Sequence, residues 1–126
     1  MKSHRVENTY RTGKIFEKLS MWYLLLKGYR FVARNFKVGR GTGAGEIDLI
    51  VKKGDLLVFV EVKHRPSFCQ AAESITLKNQ IRIVRSSGAF LKKNPIYRKC
   101  QVRYDALLWQ KGKIFPKHIQ NAWRVF

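Results

Sequence analysis

Glu46-Ile47-Asp48-Leu49-Ile50-Val51-Lys52-Lys53-Gly54-Asp55-Leu56-Leu57-Val58-Phe59-Val60-Glu61-Val62-Lys63 is two apolar runs separated by one break. Both runs are rich in branched and aromatic residues that suit a pleated surface, and Gly54-Asp55 reads as a two-residue hairpin turn. If Lys53 faces Leu56, then Val51 faces Val58, Leu49 faces Val60 and Ile47 faces Val62, giving one almost wholly apolar face. On the other face the same register sets Ile50 against Phe59, Asp48 against Glu61 and Glu46 against Lys63.

Two directly opposed carboxylates repel, so a sheet built only for stability is expected to avoid them. A divalent cation between them reverses the sign. Carboxylate oxygens suit Mg²⁺ or Mn²⁺, ions that promote phosphodiester hydrolysis by activating water and neutralising developing charge. Lys63 projects from the same face, where its ammonium can hold the attacking water or add charge beside a scissile phosphate. The backbone carbonyl of Val62 offers a further oxygen ligand. The plain alternative is a solvated outer face carrying a Glu46–Lys63 ion pair. A bulged turn would shift the register by one and separate Asp48 from Glu61; the continuous apolar face argues against that.

Outward from the hairpin, the pattern predicts an α/β domain with a central mixed sheet flanked by helices. Ile15, Phe16, Leu19, Trp22, Tyr23 and Leu26 fall at helical spacing between about Asn8 and Lys27, and Gly28 is placed to close that helix. Tyr29 to Phe36 reads as a strand. A second helix is expected from about Ser74 to Lys93, with Leu77, Ile81, Val84, Gly88 and Leu91 on one stripe, ending before Asn94-Pro95. Gln101 to Trp109 follows as a strand, with a short one near Ile114 or Ile119. At 126 residues the chain is expected to form a single domain spanning 1–126. Glu17 lies opposite the apolar stripe of the first helix, which by the simplest rule exposes it; Gly13 and Ser20 beside it would nevertheless allow close approach.

The chain carries 26 Lys+Arg against 8 Asp+Glu, a formal charge of +18. That excess implies a polyanionic partner: nucleic acid, ribosomal RNA or an anionic membrane. No segment joins a basic face to a wide apolar one, so the expectation is no membrane partner. Lys78, Arg82 and Arg85 share a face of the second helix, His64-Arg65 leaves the hairpin, and Arg40 sits in a loop with glycines at 39, 41, 43 and 45. Arg40, Arg65, Lys78, Arg82 and Arg85 are therefore candidate phosphate contacts. The glycine loop matches neither the P-loop nor the dinucleotide fingerprint. Cys69 and Cys100 lack metal or redox spacing, and with no long apolar segment a reduced, cytoplasmic protein is expected. Asp105, alternating with Arg103, reads as a structural pair.

Gly45-Glu46-Ile47-Asp48-Leu49-Ile50 followed by Val58-Phe59-Val60-Glu61-Val62-Lys63-His64-Arg65 resembles the signature of the bacterial UPF0102 (YraN-like) family. That family is similar to archaeal Holliday junction resolvases and the PD-(D/E)xK restriction-endonuclease-like superfamily. The likeness extends to Gly13, Glu17, Gly28-Tyr29, Arg34-Asn35, Lys78, Arg103-Tyr104-Asp105, His118-Ile119 and Asn121-Ala122. Tyr104 stands where the family prefers Phe, and the loop from Val38 to Gly45 is longer and richer in glycine. The resemblance implies a restriction-endonuclease-like domain in which Asp48 and Glu61 bind Mg²⁺ or Mn²⁺, Lys63 assists the water and Glu17 completes the acidic set. It places a lysine corresponding to Lys78 near the site. The implied activity is metal-dependent endonucleolytic cleavage of DNA in preference to RNA, with branched DNA such as Holliday junctions as a candidate substrate. A homodimer is the matching expectation, because both strands of a junction must be cut. The competing expectation is a nucleic-acid-binding module that does not cleave.

Overall fold

The computed structural model describes residues 2–39 and 44–124, with side chains from Tyr10 onward. Its elements are α1 (Lys2–Leu26), β1 (Arg30–Phe36), β2 (Ile47–Lys53), β3 (Leu56–Arg65), α2 (Phe68–Glu73), α3 (Leu77–Lys93), a 3₁₀ turn (Pro95–Tyr97), β4 (Gln101–Gln110) and β5 (Lys117–Trp123). The strands form one sheet in the order β1-β2-β3-β4-β5. Every neighbouring pair is antiparallel except β3 with β4, which run parallel. This is the expected mixed α/β sheet; the short helix α2 was not legible as an element of its own. Ser67 and Thr76 start the two later helices by accepting bonds from the amides of Gln70 and Asn79, which satisfies donors that have no partner within the helix.

One face of the sheet buries Leu49, Val51, Val58, Val60, Val62, Leu107 and Trp109 with Leu24 of α1. The other buries Ile50, Leu57, Phe59, Tyr104, Ala106 and Leu108 with Ala71 of α2 and Ile83 and Phe90 of α3. Helix α1 ends at Gly28, whose φ of +95° is costly for a residue with a Cβ. The amides of Gly28 and Tyr29 donate to the carbonyls of Leu25 and Leu24, the paired bonds of a glycine-terminated helix.

Helix α1 turns the opposite way from its most obvious stripe. Ile15, Leu19, Trp22 and Leu26 face outward, Trp22 with 59% and Leu26 with 88% exposure. Phe16, Ser20 and Leu24 face the sheet. The helix has apolar residues on both sides, so periodicity cannot choose between them, whereas a hydrogen bond can. Ser20 Oγ accepts from Trp109 Nε1 at 2.8 Å, giving the buried indole the acceptor it requires. Helix α3 shows the same effect: Ile83, Ser86, Ser87 and Phe90 are buried, whereas Leu77 of the expected stripe is exposed. Ser87 Oγ bonds Tyr104 Oη at 2.7 Å, and Ser86 Oγ donates to the carbonyl of Gly45.

The β2–β3 register begins as expected, with Lys53 against Leu56, Val51 against Val58 and Leu49 against Val60. There it stops. β2 stays paired with β1 as far as Ile47 and Phe36, and β3 with β4 as far as Arg65 and Gln110. The expected cross-strand pairs Ile47–Val62, Asp48–Glu61 and Glu46–Lys63 lie beyond the last paired residues. Ile47 packs with Ile50 and Phe59 on the α3 face, away from Val62. The sheet therefore splits between its second and third strands.

Asp105 is fully buried on β4. It accepts from Arg103 Nε and Nη2 at 2.7 Å each, from the Asn121 amide at 2.9 Å, and pairs with His118 Nε2 at 2.8 Å. Arg103 Nη2 also donates to Tyr29 Oη. Burial alone would raise the Asp105 pKa, but His118, Arg103 and the Asn121 amide together hold it below the ordinary carboxylate value. A depressed folded pKa contributes stability above the unfolded value of about 3.9, which is lost as pH falls through the folded pKa. Urea unfolding should accordingly show an acid-side loss, absent in Asp105→Asn, whose unfolding free energy at neutral pH drops by about 3 kcal/mol because Arg103 loses a buried partner.

Two glycines should respond oppositely to alanine. A Cβ on Gly45 would lie 3.1 Å from Arg82 Cβ, whereas one on Gly88 meets nothing within 4 Å. Chemical denaturation should show Gly88→Ala stabilising α3 by about 0.5–1 kcal/mol, and Gly45→Ala destabilising by about 1 kcal/mol through crowding.

Candidate active site at the split in the sheet

Where β2 and β3 part, the Val62 amide loses its cross-strand acceptor, and Asp48 Oδ2 takes its place at 2.8 Å. The Asp48–Glu61 ladder pair is thus absent, but the two carboxylates remain neighbours, as the sequence implied. Asp48, Glu61 and Lys63 line clefts on both faces. The larger, about 500 Å³, is completed by Thr12, Gly13, Phe16 and Glu17 of α1 with Val62, His64 and Arg65. The smaller, about 290 Å³, is completed by Gly45, Glu46, Asn79, Arg82 and Ile83.

Glu17, Glu46 and Asp48 bring one carboxylate oxygen each within 4.8 Å of one another. Glu17 keeps only 12% of its side chain exposed, so the exposed position expected from the stripe is corrected: the helix is rotated to carry it inward. Glu46 was expected only as a partner for Lys63, and the structure brings it into the acidic cluster instead. Its position two residues before Asp48 was the available signal, hidden by the assumption of a continuous ladder. Glu61 adjoins the cluster, with Lys63 Nζ 3.5 Å from its Oε1.

Lysines surround these acids. Lys14 Nζ lies 3.4 Å from Glu17 and 4.0 Å from Glu46, and donates to Asn35 Oδ1 at 2.8 Å. Asn35 sits in the left-handed region at φ 55°, which asparagine tolerates better than most residues. Lys37 approaches Glu46 at 3.8 Å. Lys14 was visible in the sequence one helical turn before Glu17 but carried no distinguishing pattern.

Burial, then the charge of Glu61 and a hydrogen bond that the protonated Asp48 carboxyl donates to it, push the Asp48 pKa well above its ordinary value, with the Val62 amide and Lys63 opposing. Glu17 is raised by burial and by Asp48. Burial followed by Arg65 and Lys111 lowers the His64 pKa, and its imidazole stacks on Phe16 at 3.9 Å. The donor set suits a hard divalent cation: it is all oxygen, crowded and electrostatically strained without added positive charge. Lys14 Nζ lies within ion-pair distance of both Glu17 and Glu46.

Of the basic candidates, Arg65 lines the larger cleft and Arg82 the smaller. Lys78 and Arg85 are exposed on α3 and line neither cleft. Arg40 lies outside the described residues.

Residues 16–108 match the family described as "Uncharacterised protein family UPF0102". A UPF0102 protein, amb4503, of Paramagnetospirillum magneticum is 46% identical over 115 residues, covering 91% of this chain and 88% of the relative. UPF0102 proteins of Chelativorans sp. and Parvibaculum lavamentivorans are 38% and 40% identical, covering 93% and 91% of this chain and 90% and 83% of their own lengths.

A carboxylate whose folded pKa is raised favours folding below its unfolded pKa, and that contribution is lost as pH rises through the folded value. At neutral pH in EDTA, Asp48→Asn should therefore raise stability by about 1–3 kcal/mol while an amide oxygen still accepts from Val62. Thermal unfolding with and without chelator tests this; Mn²⁺ should stabilise the wild type and leave the variant unaffected.

Proposed function

This chain belongs to the UPF0102 family, and we propose that it is a Mg²⁺- or Mn²⁺-dependent endonuclease hydrolysing phosphodiester bonds in DNA, including branched DNA such as four-way junctions. The observation that carries the reading is the convergence of Glu17, Glu46 and Asp48 on one point, beside Glu61 and Lys63. A bound divalent cation would supply Lewis acidity toward the phosphodiester and the attacking water. Glu17, Glu46, Asp48 and Glu61 would hold it, with the Val62 carbonyl as a further oxygen donor. Lys63 orients the water and offsets negative charge as the phosphorus–oxygen bond breaks. Arg65 and Arg82 engage phosphates at the two mouths of the split, and the net charge of +18 draws in a polyanion. DNA is the proposed substrate ahead of RNA. A symmetric dimer would serve a junction, which needs two cuts, and the outward apolar stripe of α1 is a surface such an association could cover.

One observation favours a second reading. Lys14, Lys37 and Lys63 already pair with the carboxylates, as a non-cleaving nucleic-acid-binding module on this fold would require.

Labelled four-way junction, flap, duplex and single-stranded DNA, incubated with Mg²⁺ or Mn²⁺, separate the two. Cleavage should be lost in EDTA and fall by at least about 100-fold in Glu61→Ala and Asp48→Asn. Equal cutting by wild type and variants would show contamination, and salt-sensitive, chelator-insensitive binding without cutting would establish the binding module.

A further inference from the structure

A third cleft, about 470 Å³, lies at the far end of the sheet, lined by Arg30, Phe31, Lys52, Ile96, Tyr97 and Lys99 among others. Lys52 is four residues along β2 from Asp48, about 13 Å at the rise of a strand, so this cleft is separate from the carboxylates. Its electrostatics mirror theirs. Arg30 and Lys52 are directly opposed across the β1–β2 ladder, and like charges so placed destabilise a sheet. Lys99 adds a third cation. Among the described residues none of the three has a carboxylate within the 4.0 Å of an ion pair. Asp55 is the one acid in the lining, outnumbered there by Arg30, Lys52 and Lys99.

The remaining lining is apolar and aromatic. Phe31 and Ile96 are exposed. Cations with no carboxylate partner among the described residues, beside the exposed Phe31 ring and the half-buried Tyr97 ring, which stacks on Phe90, match a ligand with a phosphate and a flat π-face. The volume is that of a small-molecule site.

We propose that this cleft is a nucleotide-binding subsite, with Arg30, Lys52 and Lys99 holding a phosphate and Phe31 and Tyr97 packing against the base. The same chemistry is offered by a free nucleoside monophosphate and by one unit of a nucleic-acid strand. The second source rests on the nucleic-acid reading above; neither depends on cleavage.

The test is an NMR titration with deoxyadenosine monophosphate, inorganic phosphate and a deoxyadenosine hexamer, in EDTA so that the carboxylate site is silent. The nucleotide should shift amides of residues 30–32, 52–55 and 96–100. Lys52→Gln with Lys99→Gln should weaken it at least tenfold, and Phe31→Ala should weaken the nucleotide but leave inorganic phosphate unchanged. Lys52→Gln alone should raise the thermal midpoint of the free protein by about 2 °C, because it relieves the like-charge pair. Loss of binding with gain of stability is not what a structural lysine produces. Hexamer binding that exceeds the mononucleotide and falls in the double variant identifies the strand as the source; hexamer binding untouched by it identifies the free nucleotide. Shifts confined to the surroundings of Asp48 and Glu61, or an affinity unchanged in the double variant, would overturn the proposal. Because no divalent cation is present, DNA cleavage can fail while this site stands, and the reverse.

Discussion

The hydrogen bond from the Val62 amide to the Asp48 carboxylate is the point on which the site depends. A β-sheet ordinarily satisfies each backbone donor from the adjacent strand, and opening one inside a domain leaves donors that are costly to bury. Here β2 and β3 each keep an outer partner while parting from one another, and a side chain replaces the missing backbone acceptor. The gap exposes Asp48, Glu61 and Lys63 to both faces. A continuous ladder would have put the same residues on one solvated face, with no concavity around them.

Each helix then adds to the gap through small residues. Ser20 brings α1 onto Trp109 and thereby carries Glu17 inward. Gly45 lies against Arg82, its amide donating to the Arg82 carbonyl and its own carbonyl accepting from Ser86, which anchors the segment leading to Glu46. The acids come from a helix, a loop end and two strands. Burial first and their mutual repulsion second raise the pKa values of Asp48 and Glu17, and the repulsion is offset in part by Lys14, Lys37 and Lys63. Stability is thus given up locally in a structure whose sheet is buried on both faces.

Buried charge is handled differently at Asp105. There Arg103, His118 and the Asn121 amide satisfy the carboxylate, and its pKa falls. The two acidic centres share burial but differ in whether positive and donor groups are complete. The complete one joins β4 to β5 and to Tyr29; the incomplete one borders the clefts. Several residues that carried the likeness to the family, including Arg103, Asp105, His118 and Asn121, therefore hold the sheet together instead of lining the split.

The sequence by itself determined the mixed α/β class, the hairpin with its Gly54 turn, the closure of α1 at Gly28 and the candidacy of Asp48, Glu61 and Lys63. These follow from local rules: period-two alternation, glycine at positive φ and the chemistry of carboxylates. Family likeness, not periodicity, singled out Glu17. Only the tertiary structure decided which face of α1 packs, where the β2–β3 ladder ends, that Ile47 leaves the face of Val62, and that Glu46 and Lys14 join the acidic cluster. The physical reason is that periodicity counts apolar residues, and α1 has them on both sides. The choice rested on single polar bonds between residues far apart in the chain, Ser20 with Trp109 and Asp48 with Val62, whose value exists only once both partners are buried.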